Sequence, residues 1–176
     1  MALALSAPSR GVLRAWGFVL AVASTILPAM PLGPMFTQPP MPLAVLWAAY
    51  GWAAEDESPW RAPTALLLLG LLHDQLSGGP FGLMTAIYLS AYLMGRVIAV
   101  VMGAPNLVSL WGGFIATTLG TVIVAALLAP WALGSNEKVW SYAEAAAITA
   151  ILFPLVRPLY MSGSLAQRAQ PGPLRR

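Results

Sequence analysis

Hydrophobic residues follow one another in long stretches along almost the whole chain, and each stretch ends at proline, glycine or charged residues. Backbone groups in hydrocarbon must be hydrogen-bonded within the protein, and the strand-like alternation of a barrel is missing from these stretches. They therefore predict membrane-spanning helices. The pattern predicts six spans, at residues 12–30, 42–54, 60–76, 81–102, 107–128 and 143–160.

The second and third stretches are short for ordinary spans. As helices they rise roughly 20 and 25 Å, whereas the hydrocarbon of a bilayer is roughly 30 Å thick. Either their ends lie below the interface against neighbouring helices, or the bilayer thins locally. Five spans with one re-entrant segment are the alternative arrangement.

Composition supports a membrane protein with little mass outside the bilayer. Of 176 residues, 59% are hydrophobic and 9% charged, and the mean hydropathy is +0.74. A soluble domain carries about a quarter charged residues. The net charge of +3 is spread near chain and helix ends, which argues against nucleic-acid binding.

Residue counts also limit the chemistry. The chain has no cysteine and one histidine, which excludes disulfides and thiolate metal sites and leaves no metal-ligand spacing. No serine, histidine and carboxylate set suggests a catalytic centre. We predict no enzyme activity, no cofactor and no metal.

The basic residues predict the orientation. Arg10 and Arg14 precede the apolar run of the first span, which starts at Trp16, and further arginines follow the last span, so both termini are predicted to be cytoplasmic. We interpret the first stretch as a retained span rather than a cleaved signal. Residues 1–161 form the predicted multi-pass helical domain, and residues 162–176 a disordered cytoplasmic tail near anionic lipid. The excess of arginine and alanine favours a bacterial inner membrane.

Two predicted spans carry small residues at every fourth position, a spacing that lets membrane helices approach closely. Either these stripes pack within the bundle, or one of them binds the helix of a partner protein. The stripes are Ala91, Gly95, Ala99 and Gly103 in the fourth span, and Gly112, Ala116 and Gly120 in the fifth.

The most informative segment is residues 70–96, GLLHDQLSGGPFGLMTAIYLSAYLMGR. Its sequence predicts a helix end, a tight turn and a helix start. Glycines allow the chain to reverse, proline suits a first helical turn, and Gly82 is predicted to let the two helices approach. The predicted hairpin motif is Gly70, Asp74, Gly78, Gly79, Pro80 and Gly82.

Asp74 is predicted to lie at headgroup depth or slightly deeper, where an unpaired charge is costly. Backbone amides of residues 77–79 and the positive end of the next helix are its predicted partners, which makes it a clamp between two helices. The alternative is a ligand or proton site. His73 is adjacent in sequence and points about 100° away, so a dyad is not expected. Arg96 and Arg157 are predicted interface anchors that snorkel to the membrane surface.

Eleven residues of this segment resemble the signature of the MreD family of rod shape-determining membrane proteins. The segment covers 27 of 176 residues; outside it the likeness is one of length and hydropathy. Phe81 stands where the family more often has leucine. The matching residues are Gly70, Leu71, Asp74, Leu76, Gly78, Pro80, Gly82, Leu83, Tyr92, Leu93 and Arg96.

The resemblance implies a non-enzymatic scaffold of the bacterial cell elongation machinery, which makes lateral peptidoglycan. Proteins similar to this one bind MreC, and through it they connect MreB with a RodA-type glycosyltransferase and a penicillin-binding transpeptidase. The implied fold is an all-α membrane bundle similar to the substrate-binding subunits of energy-coupling-factor transporters. A transporter subunit for a small molecule is therefore the alternative function, and an intramembrane enzyme is a third.

Overall fold

The computed structural model describes residues 10–27, 43–55, 60–102, 106–133 and 137–161. These parts of the chain are helical and contain no strand, and each predicted stretch corresponds to one helix. The predicted tail, residues 162–176, and Gly103 of the first small-residue stripe lie outside the described residues. The helices are α1 (Arg10–Ile26), α2 (Ala44–Glu55), α3 (Arg61–Ser77), α4 (Leu83–Met102), α5 (Leu107–Leu133) and α6 (Glu137–Tyr160).

Three of the described helices are long and apolar enough to cross a membrane. The spans are Leu83–Val101 in α4, Leu107–Ala132 in α5 and Val139–Tyr160 in α6. Many of their large apolar side chains face outwards, such as Leu119 and Ile123, which are 60% and 61% exposed. An apolar outer surface on long apolar helices is what lipid requires, and it indicates a membrane protein.

Most helix ends lie a few residues from the predicted bounds, and two of them differ more. Helix α5 continues to Leu133 rather than residue 128 and includes Pro130 near its end. Helix α6 begins at Glu137 rather than residue 143. Hydropathy locates the part of a helix that is apolar enough for hydrocarbon, but a helix can continue past that part into polar sequence.

Helix α2 lies in the interior of the bundle. It contacts all five other helices, and ten of its 12 residues are buried. A helix that is apolar on every side requires this position. At roughly 18 Å it is too short to cross hydrocarbon alone, and its longer neighbours cover it.

Aromatic rings fill the centre between α2, α5 and α6. Phe114 and Phe153 stack with centroids 4.3 Å apart, and Tyr50 meets each ring edge-on at 5.5 and 5.7 Å. Edge-to-face and stacked pairs add to the stabilisation from burial itself. This cluster joins a short early helix to two long late ones.

A few polar contacts join distant helices. The indole of Trp47 donates to the carbonyl of Thr149 at 2.8 Å, and the amide of Leu43 donates to the Thr149 hydroxyl at 2.7 Å. The hydroxyl of Tyr160 donates to the Gly17 carbonyl at 3.0 Å. Polar contacts between helices satisfy groups that would otherwise be unpaired in an apolar interior.

Candidate functional site

Helices α3 and α4 form a hairpin whose turn depends on two glycines. Gly78 ends α3 in the left-handed region, with φ 63° and ψ 18°, and Gly82 has φ 94° directly before α4. Residues with a side chain rarely adopt these angles. Gly79 and Pro80 lie between them, and the carbonyl of Pro80 accepts a hydrogen bond from the Leu83 amide at 3.3 Å. Pro80 therefore lies in the turn itself, whereas the sequence predicted it in the first turn of the helix.

The carboxylate of Asp74, near the end of α3, binds the start of α4. One oxygen, Oδ2, accepts the Gly82 amide at 2.8 Å, and the other, Oδ1, accepts the Met84 amide at 2.9 Å. The Thr85 hydroxyl adds a long contact of 3.5 Å to Oδ2. Asp74 thus caps a helix other than its own. The prediction that the amides of residues 77–79 donate is wrong, whereas the predicted contact with the positive end of the next helix is confirmed by the Gly82 and Met84 amides.

Burial makes this cap energetically important. Asp74 is only 2% exposed, and a buried carboxylate needs hydrogen bonds or a positive potential nearby. The first amides of α4 supply both, since a helix N-terminus carries a partial positive charge. Two hydrogen bonds to backbone amides are also strong because the acceptor is charged. The geometry is that of a structural link between two helices.

Close approach of α3 and α4 depends on Gly70, not on Gly82 as predicted. A Cβ at Gly70 would overlap the backbone of Thr85, with the Thr85 nitrogen only 2.7 Å away. A Cβ at Gly82 would meet nothing within 4 Å. Gly70 is therefore required for space, and Gly82 is required for its backbone angle.

His73 has a different partner from its neighbour Asp74. Its Nδ1 lies 2.6 Å from the hydroxyl of Tyr88 in α4, and the two rings are 5.9 Å apart. His73 and Asp74 thus make separate contacts from α3 to α4. The sequence pattern did not indicate Tyr88, although it lies on the same face of α4 as Met84, one turn earlier.

The small-residue stripe of α4 faces the bundle interior. Ala91 is fully buried. Gly95 faces α2, where an added Cβ would lie 3.2 Å from both Ala53 and Tyr50. Ala99 is half-buried. This stripe lets α2 and α4 approach closely.

The stripe predicted on α5 does not behave as one surface. Ala116 is exposed, and a Cβ at Gly112 would meet nothing within 4 Å. Gly120 instead faces the sulfur of Met94, and the unpredicted Gly113 faces the hydroxyl of Tyr50. Gly120 of the predicted stripe therefore packs against α4, whereas the glycine that packs against α2 is Gly113, one residue beyond Gly112 and on a different side of the helix.

The two predicted anchors are both half-buried. Arg96 donates from Nη1 to the Tyr92 hydroxyl at 3.4 Å, one turn towards the start of α4. Arg157 lies in the last turn of α6, between two prolines of that helix. Their role at the membrane surface stays a prediction.

A small cavity lies where the α3–α4 hairpin meets the end of α5 and the start of α6. Its volume is about 120 Å³, and Asp74 and Tyr142 are among its lining residues. Within the described ranges, no group of three or more histidine, aspartate or glutamate side chains could hold a metal ion.

Comparison with known proteins gave no relative. No protein-family model matches the chain, and neither the curated proteins nor the solved structures contain a match.

Proposed function

We propose that this chain is a non-enzymatic membrane scaffold of the bacterial cell elongation machinery, of the MreD type, and that it binds MreC. Through MreC it would act on MreB and on the RodA-type glycosyltransferase and penicillin-binding transpeptidase. The proposed location is the inner membrane, with six spans and both termini in the cytoplasm. The resemblance within residues 70–96 is the sequence basis of this proposal.

The observation that carries the proposal is the structural use of the hairpin motif. Asp74 caps α4, Gly70 makes room for Thr85, and Gly78 and Gly82 take the backbone angles of the turn. These residues stabilise one arrangement of two helices. A hairpin that is held in one arrangement suits a protein that presents a fixed surface to a partner. The motif therefore supports the proposed scaffold function.

A transporter subunit has less support. Sites for small-molecule ligands usually enclose about 300–1,000 Å³, whereas the cavity beside the hairpin holds about 120 Å³. If a vitamin stayed bound to the protein through gentle purification, the transporter subunit would be favoured over the scaffold.

Depletion tests the proposed role in cell shape. In a rod-shaped host with no second copy, loss of this protein should turn rods into spheres, because lateral wall synthesis loses its scaffold. Expression of the wild-type chain from a plasmid should restore rods. Unchanged shape after depletion, with the protein shown to be gone, would contradict the proposal.

A matched pair of variants tests partner binding. Gly95→Leu should lower the amount of protein, because Gly95 faces Tyr50 and Ala53 inside the bundle. Ala116→Leu adds the same side chain on the exposed side of α5 and should leave the amount unchanged. Crosslinking and co-purification with MreC would then show whether this side of α5 is the partner surface.

The pair also has a control. Leu119 is large and exposed on the same side of α5. Leu119→Ala therefore tests whether the shape of this side matters for binding to MreC. If the wild-type chain does not co-purify with MreC at all, the proposed partner is wrong whatever the variants do.

A further inference from the structure

One outward face of α6 is apolar except for a single acidic side chain. Its exposed residues follow one another at every third or fourth position, which places them on one side of a helix. Trp140, Ile151 and Leu155 are 76%, 69% and 76% exposed. Glu144 and Ala147 are exposed between them. These five residues form the α6 face.

The position of Glu144 along the helix places its carboxylate near the edge of the hydrocarbon. Trp131 and Trp140, on either side of the α5–α6 turn, are 92% and 76% exposed, and indole rings prefer the headgroup region. Glu144 lies about 6 Å further along the helix than Trp140, within the apolar span Val139–Tyr160. Both side chains lean towards the start of the helix, so this offset is kept.

Glu144 is not satisfied from within the bundle. It takes part in no hydrogen bond or ion pair with the residues that the structure describes. The buried Asp74, by contrast, accepts two backbone amides of α4. A carboxylate that faces hydrocarbon without a partner is costly, and such residues usually pair with another group. Glu144 therefore calls for a cation that approaches the α6 face from outside.

The chemistry of the α6 face favours the helix of another membrane protein as the source of that cation. A second copy of this chain would bring two carboxylates together, which is unfavourable. The ammonium of a phospholipid lies outside its phosphate, further from the hydrocarbon than Glu144. A lysine or arginine on a membrane helix has a long stem and reaches this level. Ala147, one turn deeper, leaves room for close approach.

We propose that the α6 face binds a transmembrane helix of a partner protein, and that a lysine or arginine of that helix pairs with Glu144. The basic residue lies about one helical turn deeper than the level of Trp140. Contact continues along the α6 face to Leu155, over about 22 Å of helix. The inference goes beyond the proposed function, because it identifies the partner by its basic residue rather than by name.

Photocrosslinking in the native host tests this interface. A photoreactive amino acid at Ile151 of the full-length protein should capture a membrane protein, and mass spectrometry should locate the crosslink in a span that carries lysine or arginine. Glu144→Gln keeps the shape of the side chain and should lower capture about threefold to thirtyfold. Glu144→Lys should lower it further. The same photoreactive residue at Leu68, which is 60% exposed on α3, is the control and should give no capture that depends on Glu144.

A charge exchange decides whether the two residues pair. Replacing the partner's basic residue by glutamate should abolish capture by the wild-type chain, and Glu144→Lys should restore it. Protein amount and thermal melting check that each variant is folded. If Glu144→Lys does not accumulate, Glu144→Gln still decides, because it adds no charge. Capture that Glu144→Gln leaves unchanged overturns the proposal. Capture of lipid alone, of a second copy alone, or of nothing at Ile151 overturns it as well.

Discussion

The first amides of a helix have no acceptor within that helix, and a side chain usually supplies one from the position directly before the first turn. At the start of α4 this position is Gly82, which has no side chain. Asp74, eight residues earlier, replaces the missing cap from the end of α3. The same contact that completes α4 thereby fixes how α3 and α4 are arranged.

Replacing Asp74 should destabilise the hairpin. In Asp74→Ala the amides of Gly82 and Met84 lose their acceptors in a buried setting, and the free energy of unfolding should fall by about 1–3 kcal/mol. Asp74→Asn keeps one acceptor oxygen and should lose less. Thermal unfolding in detergent, followed by tryptophan fluorescence, measures both. Equal stability of wild type and Asp74→Ala would show that the cap does not stabilise the fold.

Gly82 and Gly112 should respond in opposite ways to an added methyl group. Gly82→Ala forces a side chain into φ 94° and should cost about 1–2 kcal/mol. Gly112 is helical with open space around it, so Gly112→Ala should be neutral or slightly stabilising. The same unfolding measurement compares them. Similar losses for both would mean that backbone angle is not what Gly82 contributes.

At the scale of the element, α2 is distinguished by its surroundings. It is the shortest of the described helices at 12 residues, yet its neighbours bury it on nearly every side. The small residues at every fourth position of α4 and the glycine of α2 allow the neighbouring helices to approach α2 closely. Ala53 and Tyr50 of α2 lie against Gly95, and Gly51 lies against Tyr160 of α6.

Helix α2 should be protected from reagents dissolved in lipid. A photoactivated carbene probe in the bilayer should label α5 at its exposed residues, such as Leu119, Ile123 and Leu127. Peptides from α2 should remain near background, because its side chains do not reach lipid. Denatured protein in detergent provides the control, where both peptides should be labelled. Strong labelling of α2 in the native protein would contradict its central position.

The sequence predicts the existence and order of the helices well, because an apolar stretch of sufficient length leaves few alternatives in lipid. It predicts their ends less well. Helix α6 starts within polar sequence at Glu137, where hydropathy gives no signal. Asp74 stands out because no other acidic residue occurs between residues 57 and 137. Its amide partners could not be predicted because they depend on how tightly the turn closes.

Internal packing was also only partly predictable. Spacing alone cannot tell which side of an apolar helix faces inwards when nearly every position is apolar. On α4 the stripe through Gly95 faces α2, whereas on α5 the glycine that faces α2 is Gly113, which is not a member of the predicted stripe. A single residue changes the direction by about 100°. Contacts with other helices decide which side faces inwards, and the periodicity of the sequence carries no information about those contacts.

At the scale of the whole molecule, the proposed six spans would place both termini on the same side of the membrane. Fluorescent and periplasm-active reporter fusions at residues 1 and 176 should both report the cytoplasm, in keeping with the arginines near each end. A reporter in residues 31–41 should report the outside. Termini on opposite sides would favour five spans with a re-entrant segment.

The position of α2 has a consequence for how the protein is made. This helix is synthesised before α5 and α6, but Phe114 and Phe153, which surround its Tyr50, belong to those two later helices. Until those helices are synthesised, a segment too short to cross the bilayer has no complete set of neighbours. Final assembly must therefore wait until α6 has been synthesised. Nascent chains truncated before α6 should be the preferred targets of membrane chaperones and quality-control proteases.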